Sequence, residues 1–236
     1  MLLALAPSGA QGALTIASSV GGAPTAAGVV RDNLDWLSLG MAGGTNAASG
    51  VTVTLFGNAA TVTGSVSGRY AAPFLSGNNG AGFGAGGTTQ ANGVDTTRYL
   101  SSGSTGAVGG SRVEIALPTA ASYFGLLWGS VDGYNTLAFY DGATLVGTLT
   151  GSAVTPQATG NQGSQGTFYV NILSDLAFDR VVATSSSFAF EFDNIAFSAA
   201  TPIPAPAAFG LFAMGLLGLA WARRRARAAR PMPGGQ

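Results

Sequence analysis

The chain has 236 residues, of which 37 are glycine and 8% are charged, and it contains no cysteine, histidine or lysine. Those counts exclude a Cys/His zinc site, a disulfide, a cysteine nucleophile, a histidine-based triad and a P-loop. The net charge of zero hides an asymmetry: residues 1–200 hold five arginines against ten acids, and the last fourteen residues hold the other five arginines.

Met1 to Ala6 is an apolar run, followed by small residues around Ser8–Gly12 that suit signal-peptidase cleavage. It has no basic n-region and falls short of the usual apolar run of about 7–15 residues. Residues 1–12 are therefore read as a secretory signal peptide whose beginning is missing.

From residue 13 to 200 the helical period is nearly absent. Short β-branched and aromatic runs alternate with Gly, Ser, Asn and Asp clusters, the pattern of an antiparallel β protein. Strands are expected at 13–19, 51–56, 60–66, 95–101, 111–117, 122–129, 134–140, 144–150, 167–173, 179–184 and 188–197. One helical turn is expected near Asp32–Leu39, with Asp32 as its cap. Asp141-Gly142 marks a tight hairpin turn within Tyr140–Ala143. Two Gly/Asn/Gln-rich stretches, 76–93 and 151–166, bury too little apolar surface to order themselves and are read as long mobile loops. About eleven strands imply an all-β fold: an antiparallel two-sheet β-sandwich, jelly-roll-like.

The acids are the candidates for chemistry. Glycoside hydrolysis needs two carboxylates flanking a sugar. Asp132 and Asp141 bracket one strand, and Glu191 and Asp193 share a face of another, about 7 Å apart by strand geometry. Turn chemistry, in which each carboxylate bonds local backbone, is the favoured reading of Asp132 and Asp141. Calcium takes six to eight oxygens, including amide and backbone carbonyls, so Glu191, Asp193 and Asn194 form a candidate Ca²⁺ set with carbonyls of the N-terminal strand. The alternative is that Glu191 and Asp193 form a solvated face near Arg180. No cofactor is required by the residue pattern, and structural calcium is the one ion considered. Sugar stacking would fall to Trp128, Tyr134 and Tyr140, which bracket one hairpin; the alternative for Trp128 is the core. Nucleic acid is excluded as a partner, because the acidic part of the chain is the folded part.

The C-terminal segment is the most specific signal. Thr201 to Pro206 holds three prolines, which favour an extended chain. Ala207 to Ala222 is sixteen residues without a charge, a helix of roughly 24 Å. Trp221 and the stems of Arg223, Arg224, Arg225 and Arg227 can anchor it at a membrane interface, and the positive-inside rule leaves the arginines in the cytoplasm. A Pro-x-Pro motif, an apolar Gly/Leu-rich helix and an Arg cluster in this order resemble the PEP-CTERM sorting signal. Here Pro204-Ala205-Pro206 stands where that family has Pro-Glu-Pro. The resemblance divides residues 201–236 into a Pro-rich motif (202–206), a transmembrane helix (207–222) and an Arg-rich tail (223–230). It implies cleavage near the motif by an exosortase-type enzyme. Residues 123–132, 134–142, 178–182 and 190–195 also resemble a family of exosortase-dependent surface proteins with no established activity.

The expectation is thus an exported, non-enzymatic protein of a Gram-negative bacterium. It would pass through an inner-membrane intermediate to the cell surface or extracellular matrix, with a structural or adhesive role in exopolysaccharide or biofilm. The alternatives are a calcium-dependent carbohydrate-binding module and, third, a glycoside hydrolase.

Overall fold

The computed structural model describes residues 11–76, 90–106 and 110–199. Residues 1–10 of the expected signal peptide, most of the 76–93 stretch, and the whole of the expected sorting segment, 201–236, lie outside the described residues. Among the described residues no helix is long and apolar enough to cross a membrane.

The fold is antiparallel β-sheet with almost no helix, as the alternation pattern implies. Its frame is two 18-residue strands, β9 (Arg112–Gly129) and β12 (Phe168–Ser185), paired along most of their length. The sequence pattern places two strands in each of these stretches, and the reason is a change of parity. In β9 the buried set is Val113 and Ile115, then Phe124, Leu126 and Trp128; in β12 it is Val170 and Ile172, then Val181 and Ala183. Irregular register between Ala116 and Ala121, opposite Phe178 to Arg180, supplies the shift. Pro118, which cannot donate to a ladder, sits at this bend. An extra residue flips which side chains face inward, so the same strand can serve both layers of a sandwich.

Each half of the β9–β12 ribbon gathers its own neighbours. The first half of β9 pairs with β4 (Thr52–Phe56), which pairs with β3 (Gly43–Thr45). The facing half of β12 pairs with β10 (Asn135–Asp141), which continues into β11 (Thr144–Thr150). The second half of β9 pairs with β13 (Phe190–Ala199), and the first half of β12 pairs with β1 (Leu14–Ser19). The far edge of β13 takes β8 (Tyr99–Ser102) and β2 (Val30–Asp32), and β5 (Ala60–Val62) follows β8. A separate pair, β6 (Phe74–Ser76) and β7 (Gln90–Val94), completes the strands. Among the described residues the strands therefore form one hydrogen-bonded network of eleven, with the β6–β7 pair beside it, where a jelly roll keeps two separate sheets.

The core lies between the layers. Phe139 of β10 meets Phe124 and Phe178 edge-on, at 6.2 and 5.0 Å between centroids. Trp128 stacks on Phe190 at 4.2 Å. The hairpin at Tyr140–Ala143 forms as expected, with Gly142 at φ +56°. The helical turn at Asp32–Leu39 does not form, because Leu34 adopts a left-handed φ of +59°. Asp32 still organises the segment. Its Oδ1 accepts from the Leu34 N–H and the Trp36 indole N–H, and its Oδ2 from Asn46 and Ser49. Leu34 and Leu37 are buried, whereas Leu39 is exposed.

Candidate functional site

Two places collect polar chemistry. The first is a cleft of about 390 Å³ lined by Val20, Thr155, Gln157, Thr159, Asn161, Gln165 and Phe168. It is built by residues 151–166, which the sequence reading treats as mobile. They are instead fixed by main-chain contacts that composition does not reveal. After β11 comes one turn of helix, α1 (Gly151–Val154), whose end is tied to β1 by Ser18 Oγ donating to the Val154 carbonyl at 2.7 Å. The Gly160 N–H then donates to the Val131 carbonyl, and the Val131 N–H donates to the Gly166 carbonyl, both at 3.0 Å. Gly166, closing a 3-10 turn over Ser164–Gly166, lies so close to the Asn161 carbonyl that a Cβ there would collide with it.

The lining carries no formal charge. Thr155, Gln157, Thr159 and Asn161 are brought to one cleft by a chain that turns at Pro156–Gln157 and again at Gly160, where φ is +70°. The Asn161 Oδ1 accepts from the Gly163 N–H at 2.9 Å, which fixes the amide. Among the described residues, the Gln165 side chain and the Asn161 Nδ2 donate to no protein atom. Phe168, half-buried at the start of β12, packs partly against the core and presents its remaining surface to the cleft. Fixed amide and hydroxyl groups beside an aromatic ring suit a polar, uncharged ligand with many hydroxyls.

The second place is the outer face of β13, under residues 70–76 and 94–98. Cross-strand partners share a face, and Glu191 and Asp193 lie opposite Gly129 and Leu127. Both acids are buried. Glu191 Oε1 accepts from the Ala71 N–H at 2.9 Å and Oε2 from Ser130 Oγ at 2.6 Å. Burial pushes its carboxyl up to about 7 despite these bonds. Asp193 is raised well above the usual carboxylate range, first by burial and then by the facing Asp95 carboxyl. Its Oδ2 accepts from the Asn194 amide at 2.8 Å.

These positions correct several sequence expectations. Glu191 and Asp193 are not a solvated face, and Arg180 pairs instead with Glu114 and lies over the Tyr140 ring. Glu191 is held by Ala71 and Ser130, away from Asn194, and the N-terminal strand β1 borders β12 and not β13. The calcium set of Glu191, Asp193 and Asn194 is therefore not assembled as expected. Trp128 is wholly buried, so it is core and not a sugar platform. Tyr140 offers one ring face to Arg180 at 4.2 Å. Tyr134 is partly exposed, and its hydroxyl donates to Asp132 Oδ2 at 2.7 Å and lies against the Phe188 carbonyl. Trp128, Tyr134 and Tyr140 do not line the cleft; Phe168, which the sequence reading passed over, does. Asp132 is buried in a turn beside Gly160, and burial raises its carboxyl above the usual range.

No family model and no curated protein matches the chain. Among solved structures, a carbohydrate-binding module (CBM6cm-2) from Cellvibrio mixtus lichenase 5A in complex with cellotriose aligns at 15% identity. It covers 44% of this chain and 72% of its own, with a TM-score of 0.24. The catalytic domain of a GH87 alpha-1,3-glucanase in complex with tetrasaccharides aligns at 14% identity over 70% of this chain and 31% of its own, with a TM-score of 0.31. Overlaps this shallow bear on neither ligand nor activity.

Proposed function

We propose that this is an exported, non-enzymatic surface or matrix protein whose β-sandwich binds a neutral polysaccharide in the cleft beside Phe168. The observation that carries the reading is the lining itself: five hydroxyl or amide side chains and one aromatic ring, with no charge among them. Sugar hydroxyls pair with amides and hydroxyls, and a ring face covers the apolar face of a pyranose. Two of the four acids suited to glycoside chemistry, one from each candidate pair, are engaged elsewhere. Glu191 is sealed by Ala71 and Ser130, and Asp132 is engaged by Tyr134.

Affinity electrophoresis of the full chain tests the reading. Gels cast with the host's exopolysaccharide or a neutral glucan are expected to retard the protein, and gels cast with a uronic-acid polymer are not. Phe168→Ala with Gln165→Ala is expected to weaken retention at least about tenfold, since a few central contacts carry most binding energy. Equal retardation of this variant, or release of reducing sugar by the wild type, would overturn it.

The sorting half of the proposal rests on Pro204-Ala205-Pro206, the apolar 207–222 segment and the Arg tail. Intact mass of the protein recovered from the surface of its host should show a new C-terminus near Pro204–Pro206, with Trp221 and Arg223–Arg227 lost. A C-terminus still at Gln236 would instead mean that the helix is a permanent anchor.

A further inference from the structure

Asp95, Asp193 and Asn194 are each about 1% exposed, and each carries a side-chain oxygen with no hydrogen-bond partner: Asp95 Oδ2, Asp193 Oδ1 and Asn194 Oδ1. Burying one such acceptor unpaired is costly, and burying a carboxylate oxygen unpaired more so. Three in one neighbourhood call for a shared partner. The three residues are joined directly. The Asp95 and Asp193 carboxyls lie within hydrogen-bonding reach of one another, a contact that two acceptors satisfy only through a shared proton or a cation, and the Asn194 amide donates to Asp193 Oδ2 at 2.8 Å.

The backbone converges the groups. Register along β13 breaks between Asp193 and Ala196, and Asn194 takes a left-handed φ of +49°. That bulge turns the amide back to Asp193, whose side chain would otherwise point to the opposite face. Across from it, Asp95 is fixed by two bonds to Oδ1, from the Thr97 N–H and hydroxyl, both at 2.7 Å. Its own N–H donates to the Pro73 carbonyl at 2.8 Å. Oδ2 is thus the oxygen of this carboxylate that no N–H or O–H donor satisfies. Asp35 adds a further negative field at Asp193. No three carboxylates converge among the described residues, so the donor set is two carboxylates and one amide.

We propose that Asp95, Asp193 and Asn194 bind a divalent cation, calcium, through these three orphaned oxygens, clamping the 94–98 segment onto β13. Two carboxylates match the ion's charge, and the amide oxygen is a donor type that calcium accepts. Three side-chain oxygens leave the rest of calcium's six to eight positions to main-chain carbonyls or water, and calcium's flexible geometry suits donors set by a bulge better than the near-ideal octahedron that magnesium demands. None of these residues lines the cleft, so the site stands apart from polysaccharide binding.

The test is calorimetric titration of the EDTA-treated full chain with CaCl₂, with thermal melting beside it. One calcium per chain is expected, with a higher melting temperature and weaker binding of MgCl₂. Asp95→Asn and Asp193→Asn should each weaken calcium binding at least about tenfold, because affinity follows ligand charge. Glu114→Gln, at a partly buried ion pair with Arg112 away from these residues, should leave it unchanged. Should the aspartate variants fail to fold, wild-type titration decides alone: no heat and no melting shift with calcium overturns the site. Aspartate variants that melt higher than wild type while calcium has no effect also overturn it, because the pair is then bridged by a proton.

Discussion

Trp128→Ala is expected to lower the unfolding free energy by about 3–5 kcal/mol, the cost of emptying a large buried aromatic site. Trp128 is wholly buried, stacks on Phe190 at 4.2 Å and belongs to the cluster joining β9, β12 and β13. Phe190 is itself packed against Phe192 at 5.2 Å, which limits its collapse into the space. Urea unfolding followed by tryptophan-independent circular dichroism reads the effect. Trp128→Phe is the informative partner. It keeps an aromatic stack and removes an indole N–H that has no hydrogen-bond partner. Its cost should stay under about 1.5 kcal/mol. If Trp128 served as a sugar platform, the alanine variant would instead keep its stability and lose polysaccharide binding.

Gly166→Ala is expected to abolish polysaccharide retention and to cost about 1–3 kcal/mol, the range for forcing atoms into a packed site. A Cβ at Gly166 would strike the Asn161 carbonyl and lie 2.9 Å from the Asn161 Cβ. Backbone cannot rotate out of the way as a flexible side chain can. Relief requires moving the Gly166 carbonyl off the Val131 N–H or the Gly166 N–H off the Gly163 carbonyl. Either movement displaces Asn161 and Gln165 from the cleft. Electrophoretic retardation and urea unfolding of the same sample separate the two effects. A folded Gly166→Ala protein with wild-type retention would place the polysaccharide elsewhere.

The strands of the sandwich were legible because apolar residues alternate along them: Phe190 and Phe192 face the core as the pattern implies, whereas Phe188, on the same face by parity, precedes β13 and is exposed. The continuity of β9 and β12 was not legible, since the parity change at their bend looks like the end of one strand and the start of another. Strands β2 and β3, three residues each, carry too little pattern to register. The shared face of Glu191 and Asp193 could be read from spacing. That this face is covered, by residues 70–76 and 94–98, is long-range information absent from the local sequence. Asp95 was invisible for the same reason: only the tertiary fold sets it against Asp193. The cleft did leave a trace, in the cluster of uncharged polar residues Thr155, Gln157, Thr159 and Asn161. Its Gly- and Gln-rich setting resembled a mobile loop, because composition cannot distinguish a glycine that loosens a chain from one that admits a close backbone contact. Gly151, whose added Cβ would meet the Asp132 carbonyl, is of the second kind.

The central claim is that the uncharged cleft holds a neutral glycan. An NMR titration of the full, isotopically labelled chain with a soluble neutral oligosaccharide from the host's exopolysaccharide tests it most directly. Concentration-dependent shifts confined to Thr155, Gln157, Thr159, Asn161, Gln165 and Phe168 are the predicted result. Shifts centred on Tyr134 and Tyr140, or none at saturating oligosaccharide, would contradict it.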